Sequence, residues 1–242
     1  MSASPAVQKK LPIVVLISGN GSNLQAIIDA MQIEQSGGVS PDRTYEQALP
    51  VEIRAVISNR QDAYGLERAR NAGIHTVVVK DDNYAAREDY DRALLSVIDQ
   101  YQPQLIVLAG FMRILSKEFV THYLGKMINI HPSLLPKFRG LNTHQRAIDA
   151  GEAAHGATVH FVTPELDGGP AILQAKIPML ADDSAETLAA RVLNIEHQIY
   201  PMAIRWIADA KVTYQQNQVF LNGKPLCEPV QYPLELNQEP AA

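Results

Sequence analysis

The chain has 242 residues, 46% of them hydrophobic and 19% charged, which is enough length and apolar content to bury a core of its own. With 26 acidic against 21 basic side chains and a formal charge of -5, it has no basic excess to draw it onto nucleic acid or a membrane surface, although a local site for a small anion stays open. The single cysteine, Cys227, excludes an intrachain disulfide framework and a paired-cysteine zinc module, and fits a reducing, cytoplasmic setting.

In chain order, residues 1–10 are polar, lack the apolar stretch of a signal peptide and read as a flexible arm. Near-continuous apolar runs follow at 13–17, 51–57, 76–79, 105–109 and 127–130, each bounded by turn residues and too short to span a membrane. Runs without alternation predict strands covered on both faces, as in a parallel sheet. Between them, helical spacing is kept by Leu24, Ile27, Ile28 and Met31, then by Leu66, Ala69 and Ala72, then by Ala93, Leu94, Val97 and Ile98. Strand and helix alternating three times predict a doubly wound α/β fold with a mostly parallel sheet. Residues 36–50, rich in Gly, Ser and Pro, break the rhythm and read as a surface loop insertion. The second half predicts a short helix at 143–150 and strands at 157–162 and 171–177. A long helix follows, capped by Ser184, with Leu188, Val192, Ile195, Ile199 and Met202 on its buried face. The tail from Lys211 carries Asn222-Gly223, a hairpin signal, and ends in a Pro-containing stretch with little core. The chain thus divides into an arm, 1–10, a principal domain, 11–210, and a tail, 211–242.

Ser18-Gly19-Asn20-Gly21-Ser22-Asn23 joins the first strand to the first helix. Backbone N–H groups gather at such a helix start and the macrodipole favours an anion, so a phosphate is the natural guest. The Gly-Lys-Ser/Thr ending of a nucleoside triphosphate loop is missing. Leu24 stands at the third glycine position of a dinucleotide fingerprint, and the second strand ends in Ser58-Asn59-Arg60 rather than an acidic ribose ligand. A monophosphate ester fits better, the alternative being a tight turn with a helix cap.

Asn129-Ile130-His131-Pro132 closes the fifth apolar run, so alternation puts the side chains of Asn129 and His131 on the same side at the carboxyl edge of the sheet, where α/β proteins place ligands. An amide and an imidazole there could both donate to one developing oxyanion. Asp167, in Glu165-Leu166-Asp167-Gly168-Gly169-Pro170, lies in a turn-forming loop that could return a carboxylate to His131. Singly, the three also read as a turn residue, a structural histidine and a hydrogen-bonding residue of a glycine-rich turn. His131, His144, His155 and His160 show no metal-ligand spacing, so no metal is expected.

Four segments change that balance when taken together: Val15-Leu16-Ile17-Ser18-Gly19-Asn20-Gly21-Ser22-Asn23-Leu24, Leu108-Ala109-Gly110-Phe111-Met112-Arg113-Ile114-Leu115, Asn129-Ile130-His131-Pro132-Ser133-Leu134-Leu135-Pro136 and Leu166-Asp167-Gly168-Gly169-Pro170. They closely resemble the phosphoribosylglycinamide formyltransferases, and the resemblance runs from about Ile13 to Ala210. It implies a Rossmann-like sheet of the formyltransferase type and, over 11–210, a formyltransferase catalytic domain. It further implies transfer of a formyl group from the co-substrate 10-formyltetrahydrofolate to the amino group of glycinamide ribonucleotide in purine biosynthesis, by direct amine attack. By the same resemblance Asn129, His131 and Asp167 form the catalytic set, with a cationic His131 and the Asn129 amide at the oxyanion and Asp167 orienting His131. Gly21, Ser22 and Asn23 would hold the substrate phosphate and Glu196 its ribose, while Arg87, Met112, Arg113 and Leu115 would border the folate. The pattern departs at Pro164, where many relatives are acidic, and at Leu193, where a polar side chain often stands.

Three alternatives carry weight against this reading. A formyltetrahydrofolate deformylase shares both motifs but normally has a regulatory domain before the first strand, where only a dozen residues stand here. Methionyl-tRNA formyltransferase carries a C-terminal RNA-binding domain for which the tail is short and weakly basic. A non-catalytic nucleotide-binding module would keep the glycine loop without needing Asn129, His131 and Asp167 together. The partners expected are small-molecule substrates, with a homodimer left open.

Overall fold

The fold is seen in a computed structural model, which describes residues 10–32 and 48–233. The arm read at 1–10 lies outside these residues except for Lys10. So does most of the segment read as a loop at 36–50; of its last residues, Leu49 and Pro50 are buried. The Leu49 amide donates to the Ala30 carbonyl at 2.8 Å, which ties the return of the chain to the first helix.

The first half is a regular alternation: β1 (Leu11–Ile17), α1 (Ser22–Met31), β2 (Val51–Ser58), α2 (Gly65–Asn71), β3 (Thr76–Val78), a 3-10 turn (Asp81–Asn83), α3 (Arg87–Gln100), β4 (Leu105–Leu108), α4 (Lys117–His122) and β5 (Met127–His131). Then come α5 (Thr143–Asp149), β6 (Ala154–Phe161), β7 (Ala171–Pro178), α6 (Ala185–Ala208), β8 (Val212–Gln215), β9 (Gln218–Leu221), β10 (Lys224–Pro225) and β11 (Val230–Tyr232). Eight strands form one sheet in the order β11-β7-β6-β5-β4-β1-β2-β3, and β10-β9-β8 form a second, small sheet. In the large sheet only the β5/β6 and β6/β7 pairs are antiparallel. The fold is a doubly wound, mostly parallel α/β sheet with helices on both faces.

Alternate residues of the central strands feed two cores. Ile13, Val15, Val107 and Ile128 join α1 and α6 on one face, while Val14, Leu16, Ile106 and Met127 join α3 and α4 on the other. This two-sided burial is why the strands read as unbroken apolar runs. On α6, Ser184 accepts from the Thr187 amide and the Thr187 hydroxyl accepts from the Ser184 amide, a reciprocal box that sets the helix start.

Two elements carry no sequence signal of their own. Helix α4 has six residues, too few to show a period, and begins where the Ser116 side chain accepts from the Phe119 amide. Strand β11 has three residues, and its strand character comes from parallel pairing with β7. The stretch expected to have little core therefore extends the main sheet, with Val230 and Tyr232 packed against the first core. The Asn222-Gly223 hairpin expected in the tail joins β9 to β10, both turn residues having positive φ, 51° and 76°.

Candidate active site

From β1 the chain steps outward to β2 and β3, then returns to the other side of β1 as β4. The carboxyl ends of β1 and β4 therefore flank the point where the winding reverses, the usual ligand crevice of such sheets. The loops following β1 and β4 line a cleft of about 900 Å³ there, its walls including Gly21, Ser22, Asn23 and Met112.

The glycine loop owes its shape to α2. Gly21 has φ 75°, and a Cβ on it would stand 2.6 Å from the Cα of Gly65, so glycine meets both a backbone and a space requirement. The Gly65 amide donates to the Gly19 carbonyl at 3.0 Å. The Arg68 guanidinium donates to the Asn20 carbonyl and to Asn20 Oδ1, both at 2.9 Å, and to Gln25 Oε1 at 3.2 Å. With the loop clamped in this way, the first amides of α1, which have no partner within the helix, stand over the cleft as anion donors.

Asn23, which lines the cleft, and Glu196 are both buried, and Asn23 Nδ2 donates to Glu196 Oε2 at 2.8 Å. Burial pushes the Glu196 carboxyl up to about 7, against the opposing effect of the Asn23 hydrogen bond. One turn further along α6, the Tyr200 hydroxyl donates to the Leu108 carbonyl at 2.8 Å and so fastens the helix to the end of β4. Asn23 Oδ1 has no protein partner, which leaves a buried acceptor beside the loop amides.

Asn129 and His131 stand on one side of β5, as strand alternation requires, because Ile128 and Ile130 point into the first core. His131 Nε2 donates to the Phe138 carbonyl at 2.9 Å, and its Nδ1 lies 3.5 Å from Asp167 Oδ2. That carboxylate oxygen also accepts from the Gly140 amide at 2.8 Å. Asp167 reaches this position with φ 47°, a conformation that aspartate tolerates better than most residues. The neighbouring Gly169 presses so close that an added Cβ would stand 1.9 Å from the Phe161 carbonyl oxygen. The loop after β5 is pinned from below, since Thr158 Oγ1 donates to the Ser133 carbonyl and Gln174 Nε2 to the Leu135 carbonyl, each at 2.7 Å.

His160 is the member of this cluster that sequence reasoning passed over, having weighed it only as a metal ligand. The antiparallel register sets it opposite Asn129. Burial pushes its imidazole well below the ordinary histidine value, so the ring is neutral. Its Nδ1 donates to the Phe161 carbonyl at 2.9 Å, which leaves Nε2 to accept from Asn129 Nδ2 at 3.3 Å. The Asn129 amide is thereby oriented and keeps its second N–H for another acceptor. A histidine between Val159 and Phe161 in a predicted strand was the available signal.

Of the four residues assigned to a folate wall, Met112 lies on the cleft with 68% of its surface exposed, and Leu115 is half-buried against the second core. The Arg113 guanidinium donates to Asp81 Oδ2 at 2.6 Å and stacks 4.4 Å from the centroid of the Tyr90 ring. Arg87 opens α3, with Glu88 at 3.7 Å.

A family model described as formyl transferase matches residues 11–204, and the chain belongs to the formyl transferase family. It is an enzyme that transfers a one-carbon formyl group. Within the family it is similar to phosphoribosylglycinamide formyltransferase of Escherichia coli, 53% identical over 214 residues that make up 88% of this chain and 95% of that protein. The same enzyme of Haemophilus influenzae is 46% identical over 88% of this chain and 95% of that one. Among solved structures, phosphoribosylglycinamide formyltransferase from Coxiella burnetii superposes with a TM-score of 0.81 at 54% identity, covering 91% of this chain and 99% of that one.

Proposed function

We propose that this protein acts in the cytoplasm, transferring the formyl group of 10-formyltetrahydrofolate to the amino group of glycinamide ribonucleotide through Asn129, His131 and Asp167. The single observation that carries the reading is the oriented amide of Asn129 beside His131 and Asp167, at the end of the strand that pairs with β4, whose following loop lines the cleft. The loop amides and Ser22 suit a phosphate, and the Asn23–Glu196 pair suits the hydroxyls of a ribose. Met112, Ile114, Leu141 and Leu166 are large apolar side chains exposed on loops around the cluster, a surface suited to a flat aromatic ligand such as the pteridine.

In this reading the neutral amine attacks the formyl carbon. The new carbon–nitrogen bond forms, the bond to the donor nitrogen breaks, and the proton lost by the amine ends on that nitrogen. Asn129 donates its second amide N–H to the developing oxyanion, and the His131 ring stands beside it, held between the Phe138 carbonyl and Asp167. Asp167 holds the imidazole in place and passes the proton on through water.

An assay of formyl transfer, with and without glycinamide ribonucleotide, tests the proposal. Turnover that depends on the amine is the expected result; formate release without it would make the protein a hydrolase, and binding without turnover would make it a module.

A further inference from the structure

Five residues from four separate segments close a hydrogen-bonded ring between the glycine loop and the Met112 wall. The Met112 amide donates to Ser18 Oγ at 2.8 Å, and Ser18 Oγ donates to Asn59 Oδ1 at 2.7 Å. Asn59 Nδ2 donates to Asp81 Oδ2 at 3.1 Å, and Arg113 Nη1 donates to the same oxygen at 2.6 Å. Since Arg113 follows Met112 in the chain, the ring closes on itself. It joins the carboxyl ends of β1 and β2 to the 3-10 turn after β3 and the loop after β4.

We infer that Asp81 is a positioning residue for formyl transfer, the keystone of a ring that holds the Met112–Arg113 backbone in the shape the formyl donor meets. The inference rests on the reading of Met112 as part of the donor wall. Ser18 and Asn59 are buried, so their bonds have little competition from water. Burial alone would raise the Asp81 carboxyl, but the hydrogen bonds from Asn59 and Arg113 and the charge of Arg113 outweigh it and hold it below the usual carboxylate range. A carboxylate oxygen accepts from the amide and the guanidinium together, and its charge strengthens the bond to the guanidinium. The Arg113 head is thereby drawn back over Tyr90, and the segment it terminates is fixed at both ends. Met112 projects from that segment with most of its side chain exposed, so its placement depends on the backbone beneath it.

A closed ring differs from a row of independent bonds: once opened at one link, it gains little further freedom from opening at a second. Asp81→Ala and Ser18→Ala should each raise the KM for 10-formyltetrahydrofolate roughly three- to tenfold, and Asp81→Ala should leave kcat and the ribonucleotide KM within about twofold. The double variant should be no worse than the weaker single one, whereas independent supports would multiply. Asp81→Glu, which keeps the acceptor, should restore part of the donor affinity lost in Asp81→Ala. Hydrogen exchange at the Met112 amide in the ligand-free protein is the second readout, with protection falling at least about tenfold in each single variant. An unchanged donor KM in Asp81→Ala, in a parent protein that turns over, would overturn the inference, as would multiplicative losses in the double variant. Absence of turnover in the parent would overturn the functional reading instead. The Met112 exchange then decides the ring by itself, and unchanged protection overturns it.

Discussion

At the residue scale, two carboxyl groups of the site differ in what surrounds them. Asp167 accepts from the Gly140 amide and faces His131, while Glu196 is enclosed by α1 and α6 with Asn23 as its donor. Replacing Asp167 with Asn keeps the shape and the Gly140 bond but removes the charge beside His131. We expect kcat to fall by roughly a hundredfold, the scale of losing a positioned group in proton transfer or oxyanion stabilisation, with ribonucleotide binding retained. Single-turnover rates that stay near those of the parent would reduce Asp167 to a turn residue. Glu196 bears on stability. Its folded value of about 7 lies above the 4.5 of the open chain, so the folded state holds a proton that the unfolded state has released. That difference costs stability increasingly as pH rises from about 4.5 to about 7, and the cost is constant above. Glu196→Gln removes it and should gain up to about 3 kcal/mol on the parent at pH 8 relative to pH 5. Urea denaturation of both proteins at the two pH values measures this; an equal difference at both would show that Glu196 does not titrate in this window.

At the element scale, the shape of the glycine loop, proposed to hold the phosphate, is a joint product of α1 and α2. The loop needs φ near 75° at Gly21, and α2 needs to approach it at Gly65. Gly21→Ala brings a backbone penalty of about 1–2 kcal/mol together with the collision with Gly65, so the loop must move off α2. The expected outcome is an increase of about tenfold in the ribonucleotide KM, with the folate KM little changed. Steady-state kinetics with each substrate varied in turn would show it, and equal losses for both would refute the division of the cleft into two sides.

At the scale of the whole molecule, the chain closes its sheet with its own tail. β11 covers the edge of β7, and the Tyr232 hydroxyl donates to Gln198 Oε1 on α6 at 2.6 Å, joining the last strand to the long helix. Tyr232→Ala removes this bond and part of the edge packing, worth about 1–2 kcal/mol, which for a domain of this size lowers Tm by several degrees. Because β6 and β7 lie between β11 and β5, which carries the proposed catalytic Asn129 and His131, kcat should stay within about twofold. Calorimetry and turnover on one preparation test both halves, and a matching drop in kcat would show that the edge reaches the site.

How much of this was legible beforehand follows from the range over which a pattern acts. The apolar runs located β1 to β5, because burial on two faces shows within five residues. The glycine loop was placed by its position between strand and helix, and the shared side of Asn129 and His131 by the two-residue period of a strand. The catalytic reading of Asp167, and every reading of the folate wall, came through family resemblance, since spacing carries no such information. Only the tertiary structure decided that His160 stands behind Asn129, 31 residues away, that Glu196 meets Asn23, 173 residues away, and that Asp81 closes a ring with Arg113. These meetings depend on strand register and on how helices seat against the sheet, which are set by the packing of the whole core. A local stretch of sequence states what a side chain can do, and the packed sheet decides which other side chain it does it with.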